Sequence, residues 1–224
     1  MNDEKRIPIH RNDYAVFDFV VDYLQLKFEL FEEQTIVTAQ AAYRRNPLSS
    51  QVNPALLLLG EKLDLVSITM DGVVLSDDRY SLDDKTLCLK NPPVTFILTL
   101  VTKIDPVNNK ALEGLYRSSG NFCTQCEAEG FRKITYYPDR PDVLTQFTTR
   151  IEADRQSCPI LLSNGNFIES GSLEGGRHYA VWQDPFPKPC YLFALVAGQL
   201  VFNKRGIYVA YRDMAYFRQG YLLL

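Results

Sequence analysis

Alternation of apolar and polar residues, interrupted by turn-forming pairs at roughly ten-residue intervals, constrains this chain more than any other feature. Leu24, Leu26, Phe28 and Leu30 alternate with Gln25, Lys27 and Glu29. In an extended chain successive side chains point to opposite faces, so this run predicts a half-buried strand. After Glu32-Glu33-Gln34 the same period returns, with Val37, Ala39, Ala41 and Tyr43 set against Thr38, Gln40, Ala42 and Arg44. The two runs read as a first antiparallel pair. Asp71-Gly72 joins Ser67-Ile68-Thr69-Met70 to Val73-Val74-Leu75, a hairpin signal because both turn residues tolerate positive φ. Leu87 and Leu89, then Val94 through Val101, supply further strands on either side of a break at Pro92-Pro93.

The same grammar continues along the second half. Phe147, Thr149, Ile151 and Ala153 alternate with Thr148, Arg150, Glu152 and Asp154. Asn164-Gly165 and Gly175-Gly176 read as tight turns, with strands through Phe167-Ile168 and Tyr179 to Trp182. Asp184-Pro185-Phe186-Pro187-Lys188-Pro189 is too rich in proline for a strand interior. No amphipathic helix of three turns is visible, and Arg140 to Leu144 reads as a short turn. An all-β fold follows, a sandwich or an open pair of twisted sheets with mostly antiparallel strands.

Length and composition narrow the function. At 224 residues, 46% hydrophobic and 23% charged, the chain is ordinary globular material, one large β-domain or two small ones. A net charge of −3 and scattered Lys and Arg argue against a nucleic-acid partner. The apolar runs fall short of the ~18 residues of a membrane helix, so no membrane partner is expected. Met1 to Arg6 leads into Pro, His and Arg rather than an apolar signal core. Together with five cysteines, an odd number, and no Asn-x-Ser/Thr acceptor, this favours a cytoplasmic location.

Candidate chemistry is sparse. Gln125 and Glu127 flank Cys126 in a polar segment ending at Gly130. A carboxylate is the natural partner of a substrate ammonium group, and an amide oxygen can accept a second N–H. On spacing alone, a solvated acidic loop is the plainer reading, and Glu129 is taken as a solvated charge. Cys123-x-x-Cys126 invites a redox or zinc reading, but lacks a helix N-terminus for the first and a second ligand pair for the second, since Cys158 and Cys190 stand apart. Both are read as unremarkable thiols, with Cys126 buried beside the loop. Of the two histidines, His178 reads as an exposed residue at a strand start, and His10 has no assigned role. Ser163 and Ser172 have no partnered base nearby. Tyr136, Tyr137, Trp182 and Phe186 read as core or rim aromatics. No glycine-rich phosphate loop is present.

Longer segments carry a family resemblance. Ala111 to Tyr116, Cys123 to Arg132, Ile134 to Asp142, Leu161 to Asn166 and Trp182 to Phe193 resemble the aminopeptidase N branch, Gram-negative type, of the M1 family of zinc metallo-aminopeptidases. The likeness runs through nearly the whole chain to Gly198. It implies a saddle-shaped N-terminal β-domain that seats on a thermolysin-like catalytic domain. It also implies that Gln125 and Glu127 are the pair that grips the free amino group of a peptide substrate. In that family zinc is held by His-Glu-x-x-His with a distant Glu, beside a Gly-Ala-Met-Glu-Asn loop and an oxyanion-stabilising Tyr. None of these motifs occurs among the 224 residues, so no zinc is expected on this chain and no catalytic residue is assigned.

Two segments are therefore expected, 1–198 as the β-domain and 199–224 as a divergent tail. The tail is aromatic and mildly basic, and reads either as a last packed element or as the product of a shifted frame or gene fragment, unselected for packing. Three functions stay open: the amine-recognising fragment of a peptidase, a module that completes a split peptidase with a separately encoded catalytic domain, and an inactive sandwich remnant.

Overall fold

The computed structural model describes residues 14–203 and 206–208. Almost every element is a strand. The first half supplies β1 (Phe19–Leu30), β2 (Thr35–Arg45), β3 (Leu56–Leu59), β4 (Asp64–Met70), β5 (Val73–Val74), β6 (Tyr80–Leu82), β7 (Thr86–Leu89) and β8 (Thr95–Ile104). The second half supplies β9 (Gly114–Ser118), β10 (Asn121–Gln125), β11 (Thr145–Asp154), β12 (Ile160–Ser163), β13 (Asn166–Ser172), β14 (Arg177–Lys188) and β15 (Leu195–Gly198). Two further short strands, β16 (Val201–Asn203) and β17 (Gly206–Tyr208), pair with each other. The only helical turns described are short 3₁₀ segments, so no described helix is long and apolar enough to cross a membrane.

Eight strands form the main sheet, in the order β13-β14-β11-β1-β2-β8-β4-β5. All its pairings are antiparallel except β1 with β11, which run parallel from Tyr23↔Gln146 to Glu29↔Glu152. A three-stranded sheet, β3-β7-β6, and a four-stranded sheet, β12-β15-β10-β9, complete the sandwich. The alternation in the sequence decides which face is inward. Leu24, Leu26, Phe28 and Leu30 of β1 and Val37, Ala39, Ala41 and Tyr43 of β2 are buried, in one cluster with Leu56, Leu58, Leu87 and Leu89 of the three-stranded sheet and Leu115, Phe122 and Leu195 of the four-stranded sheet. Truncating one such residue, Phe28 for example, would cost about 3–5 kcal/mol through lost burial and the cavity left behind.

Several expectations hold in detail. The first antiparallel pair is β1 with β2. Asp71 and Gly72, at φ of 51° and 81°, make the turn between β4 and β5. Gly175 and Gly176 close the β13–β14 hairpin. Arg140 to Leu144 holds a turn, with the Val143 amide donating to the Arg140 carbonyl at 3.3 Å.

Three expectations are corrected. The proline run is not outside a strand: β14 extends through Pro185 and Pro187 to Lys188. It does so because Asp184 pairs with Phe147 and Lys188 with Thr145, so β14 bulges over Pro185, Phe186 and Pro187 where β11 has only Gln146. Within a bulge the missing proline N–H groups interrupt no ladder bond, and β13 has already ended beside Gln183. His178 is not exposed; it is 7% accessible, and its Nε2 lies 2.7 Å from the Cys158 carbonyl oxygen. As the second residue of β14 it falls on the inward face with Ala180. Finally, Asn164-Gly165 is a turn, but the strands it joins belong to different sheets. Asn164 instead braces the chain across the turn, accepting from the Ala194 amide at 2.6 Å and donating to the Leu192 carbonyl at 3.2 Å.

The end of the described chain stays packed a little beyond Gly198. The Gln199 amide donates to Asn121 Oδ1 at 2.9 Å, and Leu200 is buried against Leu162 and Val196. His10 and the stretch from Val209 onward, together with Lys204 and Arg205, lie outside the described residues.

Candidate amine-recognition site

Strand β10 carries Gln125 to the place where the expected pair should stand. Gln125 is its last residue, paired with Gly114 of β9, and Glu127 follows in the turn. Both side chains are exposed while Cys126 between them is buried, the strand alternation carried one step beyond the ladder. The Gln125 amide Nε2 donates to the Glu127 carbonyl oxygen at 3.2 Å. That bond orients the amide, and Gln125 Oε1 accepts no hydrogen bond among the described residues. No ion pair among the described residues involves the Glu127 carboxylate. The Glu127–Ala128 peptide bond is cis.

Neighbouring residues fix the turn. The Gly130 amide donates back to the Cys126 carbonyl at 2.9 Å, closing it. A Cβ on Gly130 would lie 2.4 Å from the Gln125 carbonyl oxygen and 2.9 Å from the Gly114 amide nitrogen, so only glycine allows this approach. Thr124 extends the hold of β10 on β15, since its hydroxyl accepts from the Leu195 amide at 2.7 Å.

Beyond the turn lies its deepest anchor. Arg132, in the 3₁₀ turn Phe131–Lys133, donates through Nε to Asp139 Oδ2 at 2.9 Å, and its amide donates to the same oxygen at 3.2 Å. Asp139 Oδ1 accepts from the Cys190 thiol at 3.0 Å, and the Asp139 side chain is only 2% exposed. Burial, the largest single influence, pulls the Arg132 pKa down, but the hydrogen bond and charge of Asp139 together with the Glu129 and Glu61 charges outweigh it, and the guanidinium stays charged. The thiols of Cys126 and Cys190 are pushed far up, by burial first and the Asp139 charge second. Glu129, expected as a solvated charge, pairs with Arg132 at 3.3 Å while staying exposed. Sequence reasoning missed the Arg132–Asp139–Cys190 anchor because nothing in the spacing of these residues marks a contact across the fold.

The remaining candidates do not assemble into chemistry. Cys123, Cys126, Cys158 and Cys190 are free thiols, as is Cys88. Ser163 is buried, with its hydroxyl donating to the Ala194 carbonyl at 2.8 Å. Tyr136 and Tyr137 are core residues and Trp182 is partly buried, whereas Phe186 is 76% exposed on the β14 bulge. Among the described residues no group of His, Cys, Asp and Glu is placed to hold a metal ion. The donors present do not fit zinc, and no metal-dependent step is derived from them.

Fold and site together define a β-sandwich domain that presents an unpaired carboxylate and a free amide oxygen on one strand-end turn. Residues 65–192 match the Peptidase M1 N-terminal domain, and the chain belongs to this family. It is 54% identical over 188 residues to aminopeptidase N of Caulobacter vibrioides and 49% identical over 189 residues to that of Escherichia coli, in each case over 84% of this chain. The chain spans about a fifth of the length of these relatives, 21% of each. Among solved structures, Legionella pneumophila aminopeptidase A in complex with aspartic acid superposes with a TM-score of 0.82 at 36% identity, over 85% of this chain and 22% of that one. The M1 zinc metallopeptidase of Deinococcus radiodurans shares the fold, with a TM-score of 0.69 at 15% identity over 82% of this chain and 43% of that one.

Proposed function

We propose that this chain supplies the substrate-recognition half of a zinc aminopeptidase, with Glu127 and Gln125 binding the free α-ammonium group of a peptide. The observation that carries this reading is the pairing of an exposed carboxylate that has no ion pair among the described residues with an amide oriented by one hydrogen bond from its nitrogen. A charge-assisted bond from ammonium to Glu127 is about twice as strong as a neutral one. A second N–H to Gln125 Oε1 would read the tetrahedral geometry of an amine and reject an acylated, internal peptide nitrogen. Cleavage chemistry requires a zinc-bearing domain of the family type, encoded in the same longer chain or separately. Five free cysteines support a reducing, cytoplasmic setting.

Exposure limits what the turn can do unaided. An open carboxylate–ammonium contact is worth ~0–1 kcal/mol, well below the roughly 4 kcal/mol of a millimolar complex. Recognition therefore strengthens when a second surface closes over the turn and excludes water. The test is an NMR titration of the ¹⁵N-labelled chain with L-alaninamide, compared with Glu127→Gln. Weak, concentration-dependent shifts at residues 125–128 that fall several-fold in the variant are expected. Equal shifts in both proteins would remove Glu127 from the site.

A further inference from the structure

We infer that the chain has a second site, a small cleft lined by two arginines that takes a monocarboxylate carried on an apolar or aromatic body. The cleft encloses about 420 Å³ between the β1–β2 turn, the β11–β12 connection and the β13–β14 hairpin. Small-molecule pockets run from roughly 300 to 1,000 Å³. It shares no lining residue with the Gln125–Glu127 turn.

Arg117 and Arg177 line the cleft, and neither is ion-paired with a carboxylate among the described residues. Backbone carbonyls hold them instead. Arg117 donates through Nη1 to the Glu32 carbonyl at 3.1 Å and through Nη2 to that of Gly120 at 3.2 Å. Arg177 donates in the same way to the Leu30 and Glu152 carbonyls, at 3.0 and 3.2 Å. Aromatic rings support both guanidiniums, Phe122 at 5.0 Å from Arg117 and Phe31 at 4.3 Å from Arg177. A guanidinium has five N–H donors, so each fork keeps three beyond these bonds. The Nε–H of each makes none of them and is not among the buried groups without a partner, so it is open to solvent. The two charges also converge. Burial pushes the Cys158 thiol up, while the Ser157 hydroxyl and the Arg117 and Arg177 charges pull it down, so both arginines act on one point of the wall.

Charge and wall select the ligand class. Glu32 and Asp154 line the cleft as well, so its formal charge is balanced before anything binds. Asp154 Oδ1 accepts from the Gln156 and Ser157 amides at 3.0 and 2.8 Å, capping its own turn. A dianion such as phosphate meets these like charges twice over, whereas a carboxylate adds one charge to two forks. Its planar oxygens also match a guanidinium fork. Leu30, Phe122 and Ala153 line the cleft at 3% exposure or less, an apolar wall for the body of the ligand. A free aromatic acid and the C-terminal residue of a peptide offer the same chemistry.

The ¹⁵N-labelled full chain should be titrated with benzoate, with inorganic phosphate, with N-acetyl-Gly-Phe and with the C-terminal amide of that dipeptide. The acetyl group removes the ammonium that Glu127 would read. Saturable shifts at residues 30–32, 117, 122, 157–158 and 175–177 are expected with a carboxylate and lost with the amide, and phosphate should bind more weakly. A response to benzoate alone assigns the free acid, and a response to N-acetyl-Gly-Phe alone assigns the peptide terminus. Arg177→Gln should weaken binding about 10-fold or more, the worth of a charged hydrogen bond. Phe31→Ala, at an exposed position, should weaken it about 2- to 10-fold, and decides the matter if the arginine variant does not fold. Glu127→Gln should leave this binding unchanged while altering the alaninamide response, which separates the two sites. No saturable shift, phosphate as tight as the carboxylates, equal shifts with acid and amide, or unchanged binding in both cleft variants would overturn the inference.

Discussion

The role proposed for Glu127 depends on neighbours that hold the turn without using its carboxylate. Two residues carry that burden, and each gives a prediction. Gly130→Ala places a methyl 2.4 Å from the Gln125 carbonyl oxygen, so the turn must shift. Overpacking of this kind costs about 1–3 kcal/mol, and thermal melts should show the loss together with displaced amide resonances at 125–128. Asp139→Ala leaves the Arg132 guanidinium, 13% exposed, without its buried partner and with only the exposed Glu129 carboxylate beside it. Removing one member of a buried pair costs about 3–5 kcal/mol, measurable by urea unfolding; a loss below 1 kcal/mol would show that the anchor does not hold the turn. At this scale the sequence was legible for Cys126, because alternation past Gln125 turns it inward. It was not legible for His178, since a residue next to a glycine turn can begin either face of a strand.

Turns and edges govern the elements. Asp83, Asp105 and Asp154 each cap a loop with side-chain or backbone hydrogen bonds, from Thr86, Asn108 and Ser157 in the first place, and their pKa values lie below the ordinary 3.8. A depressed folded pKa adds stability that is fully present above about pH 4 and is lost as pH falls through the folded values. The melting temperature should therefore drop as the pH falls below the ordinary carboxylate value of 3.8. Asp154→Asn, which keeps an acceptor but cannot titrate, should flatten part of that drop. The same turns explain what the sequence concealed. Asn164-Gly165 has hairpin chemistry, yet its strands separate because Asn164 bonds to Leu192 and Ala194. The β14 prolines survive in a strand because a bulge removes the need for their amides, a property of the partner strand that local composition does not carry.

Across the whole molecule, the parallel seam between β1 and β11 joins the two halves of the chain into one sheet. Period-two patterning reveals each strand and its inward face, but not that residues 23–29 pair with 146–152, since long-range register leaves no local mark. One shared core predicts one cooperative transition. Trp182 fluorescence and far-ultraviolet circular dichroism should give coincident unfolding curves, and separated curves would mean that the halves fold independently.

The central claim is that the Gln125–Glu127 turn recognises a free amino terminus, and acetylation tests it most directly. The ¹⁵N-labelled chain is titrated with Ala-Ala and with N-acetyl-Ala-Ala under identical conditions, following residues 125–128. Recognition of the ammonium group predicts shifts with the free dipeptide that vanish on acetylation. Equal shifts with both dipeptides, or none at these residues with either, would contradict it.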